Sequence, residues 1–255
     1  MAQLVWGART ERFFEAGVDQ GVLYPLDGIG VAWSGLISVT ESPRGGLPRP
    51  YYLDGVKYLN LASAEEFDAT IVSYGAPAEF GPSDGVIPIH NGLFATQQPR
   101  KTFGLSYRTK VGNDISSDLG YKIHLVYGAL AAPATRAHTT LSDSSDPMQM
   151  SWAITTLPPS VAAVKRTAHF VVDSRYADPS DLTALEDFLY GTEGESPQLP
   201  TPNQLIAIFF HEALVVADIA QAQTVDNLVL TQHQVLTVAD AAQTQTIDNL
   251  TLTPN

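Results

Sequence analysis

The chain has no cysteine among its 255 residues. That excludes disulfide staples and thiolate metal centres, and it leaves the compartment open. No apolar run reaches the roughly 18–20 residues that a membrane-spanning helix needs. The first residues lack a basic stretch followed by an apolar one, and Glu11 and Glu15 fall early, so no signal peptide is expected. Basic residues are few and unevenly placed. The last of them is Arg175, and residues 176–255 carry eleven acidic groups and no Lys or Arg. Residues 1–175 hold 14 basic and 16 acidic groups, so the net charge of −13 belongs mostly to the C-terminal third. Without a basic stripe to neutralise phosphates, tight nucleic-acid binding is not expected.

Catalytic signatures are missing as well. The nearest string to a hydrolase elbow, Ala32-Trp33-Ser34-Gly35, lacks the Gly-x-Ser-x-Gly spacing. His90, His124, His138, His169, His211 and His233 include no pair at the i,i+4 spacing of a helical zinc site. His124 lies in a strand beside aromatics and reads as a surface or packing residue. Asp114 and Asp118 lack the glycine and terminal glutamate of a calcium loop. Gly28-Ile29-Gly30 lacks the third glycine and helix of a dinucleotide fingerprint. Glu186 and Asp187 are adjacent on a helix and face apart. The expectation is therefore no catalytic residue, no cofactor, no metal and no enzyme.

What the chain does have is β pattern. A hydrophobic content of 44% argues against disorder. A chain of this length can bury roughly 70–75% of its unfolded surface. The clearest stretch runs from Thr96 to Pro133, where two alternating segments, 102–109 and 121–127, flank residues rich in Gly, Asn, Asp and Ser. Phe103, Leu105 and Tyr107 point one way in the first, and Tyr121, Ile123, Leu125 and Tyr127 share a face in the second. A period of two predicts an antiparallel hairpin with one buried face. Strands are also predicted over 31–40, 64–74, 149–155 and 167–173. Asp54-Gly55 suits a type I′ turn inside 51–59. Residues 75–98 hold three prolines and four glycines with little periodicity and read as a long loop.

One helix is predicted over 179–190. Asp178 can cap it, Pro179 fits the first position and Asp181 the positive dipole end. Leu182, Leu185, Phe188 and Leu189 give its apolar stripe, and Gly191 is placed to end it in the left-handed conformation. Thr201 and Gln204 form a potential capping box, yet residues 205–210 are apolar throughout and also read as a buried strand. Residues 214–235 and 236–255 are a tandem repeat of period 22 with about two thirds of aligned positions identical. Two units are too few for a solenoid core, so they are expected to dock on the main domain, on a neighbouring subunit, or on each other in an oligomer.

Several strings, in order, carry a family resemblance: LVWGARTERFFEAGVDQGVLYP, GVAWSGLISVTESP, YYLDGVKYLNLASAEEF, the 96–133 hairpin, LEDFLYGTEG and LPTP. The chain over roughly 4–205 resembles the major tail protein, or tail tube protein, of long-tailed bacteriophages that infect actinobacteria. The resemblance implies a mainly β, tail-tube-type sandwich or barrel with one flanking helix. It divides the chain into an N-terminal arm (1–30), a β domain (31–210, with the 75–98 loop and the 179–190 helix) and a β-rich extension (211–255). It implies hexameric rings of self-associated subunits, stacked into a tube in the virion tail and made in the host cytoplasm. Tape-measure and tail-terminator or tail-tip proteins would be partners. Double-stranded DNA would pass through the lumen without specific binding, and no membrane would be involved. Trp6, Phe13, Phe14, Phe80, Phe94, Arg100, Lys101, Arg108 and Lys110 are the candidate inter-subunit contacts, with the basic ones expected away from the bore or paired with acids.

The rival reading is a β-sandwich binding module that recognises glycans or a host surface, with the C-terminal repeats as its adhesive tail. It needs exposed aromatics. Trp33, Tyr51 and Tyr52 are the candidates, although core packing is the favoured explanation for them.

Overall fold

Among the described residues, alternating and apolar runs separated by Gly- and Pro-rich turns fold into fourteen strands, one 3-10 helix and two α-helices. The computed structural model describes residues 6–7, 11–26, 28–140, 147–162 and 164–210. The tandem repeats within 211–255 lie outside them. The first half of the chain gives β1 (Phe14–Pro25), β2 (Val31–Ala32), β3 (Leu36–Glu41), β4 (Arg44–Gly45), β5 (Pro48–Leu53), β6 (Val56–Ala62), β7 (Glu65–Glu66) and β8 (Asp68–Ser73). The 3-10 helix Ala78–Asp84 follows, with β9 (Ile87–His90) and β10 (Leu93–Ala95) after it. The remainder gives β11 (Phe103–Gly112), β12 (Gly120–Ala131), β13 (Met150–Thr156), β14 (His169–Asp173), α1 (Pro179–Tyr190) and α2 (Pro202–Phe209).

Eight strands make the main sheet, in the order β2-β1-β11-β12-β13-β8-β3, with β14 also on β12. All the pairings are antiparallel. The branch is at Gly128. Before it, Lys122–Val126 pairs with β14; after it, Ala129–Ala131 pairs with β13. Gly128 has φ 59°, and a Cβ there would lie 2.5 Å from the Leu157 carbonyl oxygen, so only glycine turns the strand between its two partners. The sheet curls until β3 lies near β1, and Trp33 N–H reaches the Gly21 carbonyl at 2.7 Å. No ladder joins β3 to β1, so the fold is a curled sheet and not a closed barrel.

Both faces of the central hairpin are covered, where one buried face was expected. Inside the curl, Trp33, Phe80, Phe103 and Trp152 pack ring on ring, together with Leu105, Tyr107 and Val126. On the other face Ile123, Leu125 and Tyr127 meet Leu185, Leu189 and Leu205 of the two helices.

Further expectations change. Residues 14–25 are not an arm but a strand inside the main sheet, paired to β11 with two register shifts. The 75–98 segment is not structureless: it holds the 3-10 helix and the small β9–β10 hairpin. For residues 205–209 the sequence leaves both helix and strand open, and helix holds, because the Gln204 side chain accepts from Thr201 N–H at 2.9 Å and Thr201 Oγ1 accepts from Gln204 N–H at 3.3 Å. α1 spans the residues predicted, with Asp178 accepting from Ser180 N–H at 2.9 Å. Gly191 ends it at φ 78°, ψ 166°, a glycine-only region outside the left-handed helical one.

Candidate functional site

β5 and β6 form a two-stranded hairpin apart from the main sheet. Asp54 and Gly55 turn it with φ 50° and 77°, as a primed turn requires. Every residue of both strands is exposed. Register puts Tyr51 opposite Leu59, Tyr52 opposite Lys57 and Leu53 opposite Val56, with Tyr58 of β6 the extra residue between the first two pairs, so the adjacent Tyr51 and Tyr52 of β5 alternate between the two faces. The hairpin is thus apolar on both faces and buried on neither. A lone hairpin is marginal in water, and an exposed apolar patch of this kind marks an interaction surface.

A second outlying hairpin, β9–β10, exposes Ile89, Leu93 and Phe94. Trp6, Phe13 and Phe14 are exposed too, Trp6 the most at 83%. Phe13 lies under the Arg175 guanidinium, 5.3 Å from ring centre. Of the residues expected at contacts, Phe80 stands apart. Its ring is 1% exposed at the centre of the aromatic core, so it packs within its own chain.

Arg100, Arg108 and Lys110 lie beside acids of the same chain. Arg100 is 3.2 Å from buried Asp84, which also pairs with Arg136 and accepts from Trp152 Nε1 at 3.0 Å. Arg108 donates twice to Asp19, at 2.8 and 3.2 Å, and Lys110 lies 3.9 Å from the same carboxylate. Lys101 is exposed, and its N–H donates to the Pro82 carbonyl. Of the aromatics weighed for a glycan patch, Trp33 is core while Tyr51 and Tyr52 are open to solvent.

Sequence reading missed a polar cluster inside the curl. Glu41 of β3, His124 of β12 and His169 of β14 converge there. His124 Nδ1 is 3.2 Å from His169 Nε2 and 3.3 Å from Glu41 Oε1, and His169 Nε2 is 3.9 Å from that oxygen. Tyr107 lies parallel to His124 at 4.6 Å and donates its hydroxyl to Glu41 at 2.8 Å. On the other side of His124, Nε2 meets Thr109 Oγ1 at 3.1 Å, and Thr109 donates to Glu15 at 2.6 Å. Phe67 packs on His169 with ring centres 4.3 Å apart. Beside His169 opens a cavity of about 320 Å³ whose lining includes Glu66, Lys165 and Arg166.

Burial pushes both imidazoles down, against the opposing pull of Glu41, and His169 falls to about 4. Both rings are neutral at neutral pH. Burial and the bond to Glu41 push the Tyr107 phenol up, so it remains a donor. Burial raises the Glu15 carboxyl, but bonds from Lys122 and Thr109 outweigh it and hold the group below its ordinary value. No motif could have disclosed the cluster, because its members come from three strands far apart in sequence.

No family model matches the chain, and no curated protein does. Among solved structures, it is similar to a chain of the anti-feeding prophage baseplate, determined by cryo-EM and symmetrised sixfold. The identity is 9%, with 66% of this chain and 97% of that chain covered and a TM-score of 0.34.

Proposed function

We propose that the chain is a structural virion protein that polymerises as stacked hexameric rings into the tail tube of a long-tailed phage. The observation that carries this is the 48–62 hairpin, apolar on both faces and buried on neither. Such a segment suits insertion between two other subunits better than life in water. The resemblance of residues 4–205 to tail tube proteins supplies the kind of assembly. Open edges at β2 and β3 offer unpaired backbone groups that a neighbouring subunit can satisfy. Pairing of Arg100, Arg108 and Lys110 with acids of their own chain leaves less free positive charge to hold a passing nucleic acid. The role is geometric and needs no catalytic residue.

Sedimentation of the purified chain beside a Tyr51→Ser/Tyr52→Ser variant tests the reading. The wild type is expected as hexamers or larger species. The variant, equally folded by circular dichroism, is expected as monomer or small oligomer. Identical sedimentation of the two would remove the hairpin from the interface.

Exposure of Tyr51, Tyr52 and Tyr58 also favours a second reading, a glycan- or surface-binding module. Saturable binding of a monomeric wild type to cell-wall polysaccharide, lost in the same variant, would promote it over the first.

A further inference from the structure

We propose that Glu41, His124 and His169 form a divalent transition-metal site, with zinc the ion that fits best. A tetrahedral zinc with bonds of about 2.0–2.2 Å to nitrogen and oxygen separates its ligand atoms by about 3.3 Å. The three donor atoms stand 3.2, 3.3 and 3.9 Å apart. Only the Glu41–His169 edge has to shorten, and Glu41 is a partly exposed side chain at the end of an edge strand. Two imidazoles and one carboxylate are the donor set of borderline ions, whereas calcium and magnesium prefer all-oxygen sites.

The surroundings hold the donors as a metal site's outer partners do. The Tyr107 hydroxyl fixes the Glu41 carboxylate. Thr109 gives its own proton to Glu15, so it accepts from His124 Nε2–H. That relay leaves the His124 Nδ1 lone pair aimed into the cluster. His169 Nε2–H then satisfies this lone pair in the metal-free protein. On binding, the ion takes the place of that hydrogen, and His169 carries its proton on Nδ1 instead. Both rings are neutral at neutral pH, so no charge on them has to be lost first. Glu41 gives solvent access to a fourth position, which a water fills. The ion would tie β3 to β12 and β14 where the curled sheet has no ladder of its own. None of this depends on the assembly reading.

The test uses the full chain, stripped with a chelator, with cobalt(II) followed by visible absorption and zinc followed by calorimetry. One ion per chain is expected, giving the visible bands of tetrahedral cobalt that zinc then displaces. Glu41→Gln and His169→Gln should each weaken binding by at least about 100-fold, and Tyr107→Phe by roughly 10–100-fold, the usual cost of losing an outer partner. His90→Gln, on the separate β9–β10 hairpin, should bind as the wild type does. Circular dichroism of each variant checks folding, and Glu41→Gln decides if His169→Gln does not fold. Absence of cobalt bands and of saturable heat in the wild type would overturn the proposal. So would wild-type affinity in a folded Glu41→Gln, which would put the ion elsewhere.

Discussion

Asp84 shows how one side chain joins three parts of the molecule. Its carboxylate is nearly buried and receives Trp152, Arg100 and Arg136, which come from β13, the approach to β11 and the segment after β12. Asp84→Ala takes the carboxylate away from an indole N–H and two guanidinium groups, leaving Arg100 the backbone carbonyls of Ser83, Ala131 and Ala132. The expected loss is about 3 kcal/mol in urea unfolding. Trp152→Ala, at 0% exposure between Trp33 and Phe80, should lose about 3–5 kcal/mol by the same measurement.

His169 makes stability depend on pH with a definite sign. Its value is about 4 in the folded chain and about 6.5 in the unfolded one. Between those values the unfolded chain binds a proton that the folded chain refuses. In chelator-treated protein, stability should be full above about pH 6.5 and fall by about 1–3 kcal/mol as pH drops towards 4. His169→Gln should flatten that slope in a series of melts from pH 4 to 8. An unchanged slope would mean that His169 is protonated in the folded chain.

At the scale of elements, the two helices show which local signals survive into the fold. Asp178, Pro179 and the leucine stripe mark α1 because each acts within one turn of chain. The Thr201–Gln204 box acts likewise, and its three hydrogen bonds outweigh the apolar run that reads as strand. Thr201→Ala should cost about 1 kcal/mol, seen as a lower melting temperature.

β1 was hidden for the opposite reason. Its register shifts fall between Ala16 and Asp19 and between Asp19 and Val22, and Gln20 has φ 48°, so alternation is broken where the strand bends. The second buried face of the central hairpin was hidden too. On β11 its buried residues include Gly104 and Ser106, which carry no apolar side chain to mark them, and Ser106 bonds the Tyr24 hydroxyl at 3.1 Å. The exposure of Tyr51 and Tyr52 and the Glu41–His124–His169 cluster depend on how distant strands meet. Residue pattern carries no record of that.

The 48–62 hairpin permits a clean separation of folding from assembly. Replacing it with a short Gly-Ser link removes no buried residue. The melting temperature of the dilute monomer should therefore change by only a few degrees, while association is lost.

At the scale of the whole molecule, a curled sheet with open edges, two outlying apolar hairpins and exposed N-terminal aromatics presents several faces that no other described residue covers. If the chain assembles as proposed, ring formation and ring stacking would use different faces of this kind, edges for one and hairpins for the other. The repeats within 211–255 then either decorate the assembly or form part of its contacts.

Electron microscopy of the purified protein, full length and truncated after Phe210, at rising concentration, tests the assembly claim most directly. The account predicts hollow tubes or stacked six-membered rings from the full-length chain. Tubes from both would make the repeats a decoration, and tubes from the full-length chain alone would make them part of the interface. Monomers from both at every concentration, and equally when seeded with preformed tail tips, would contradict it.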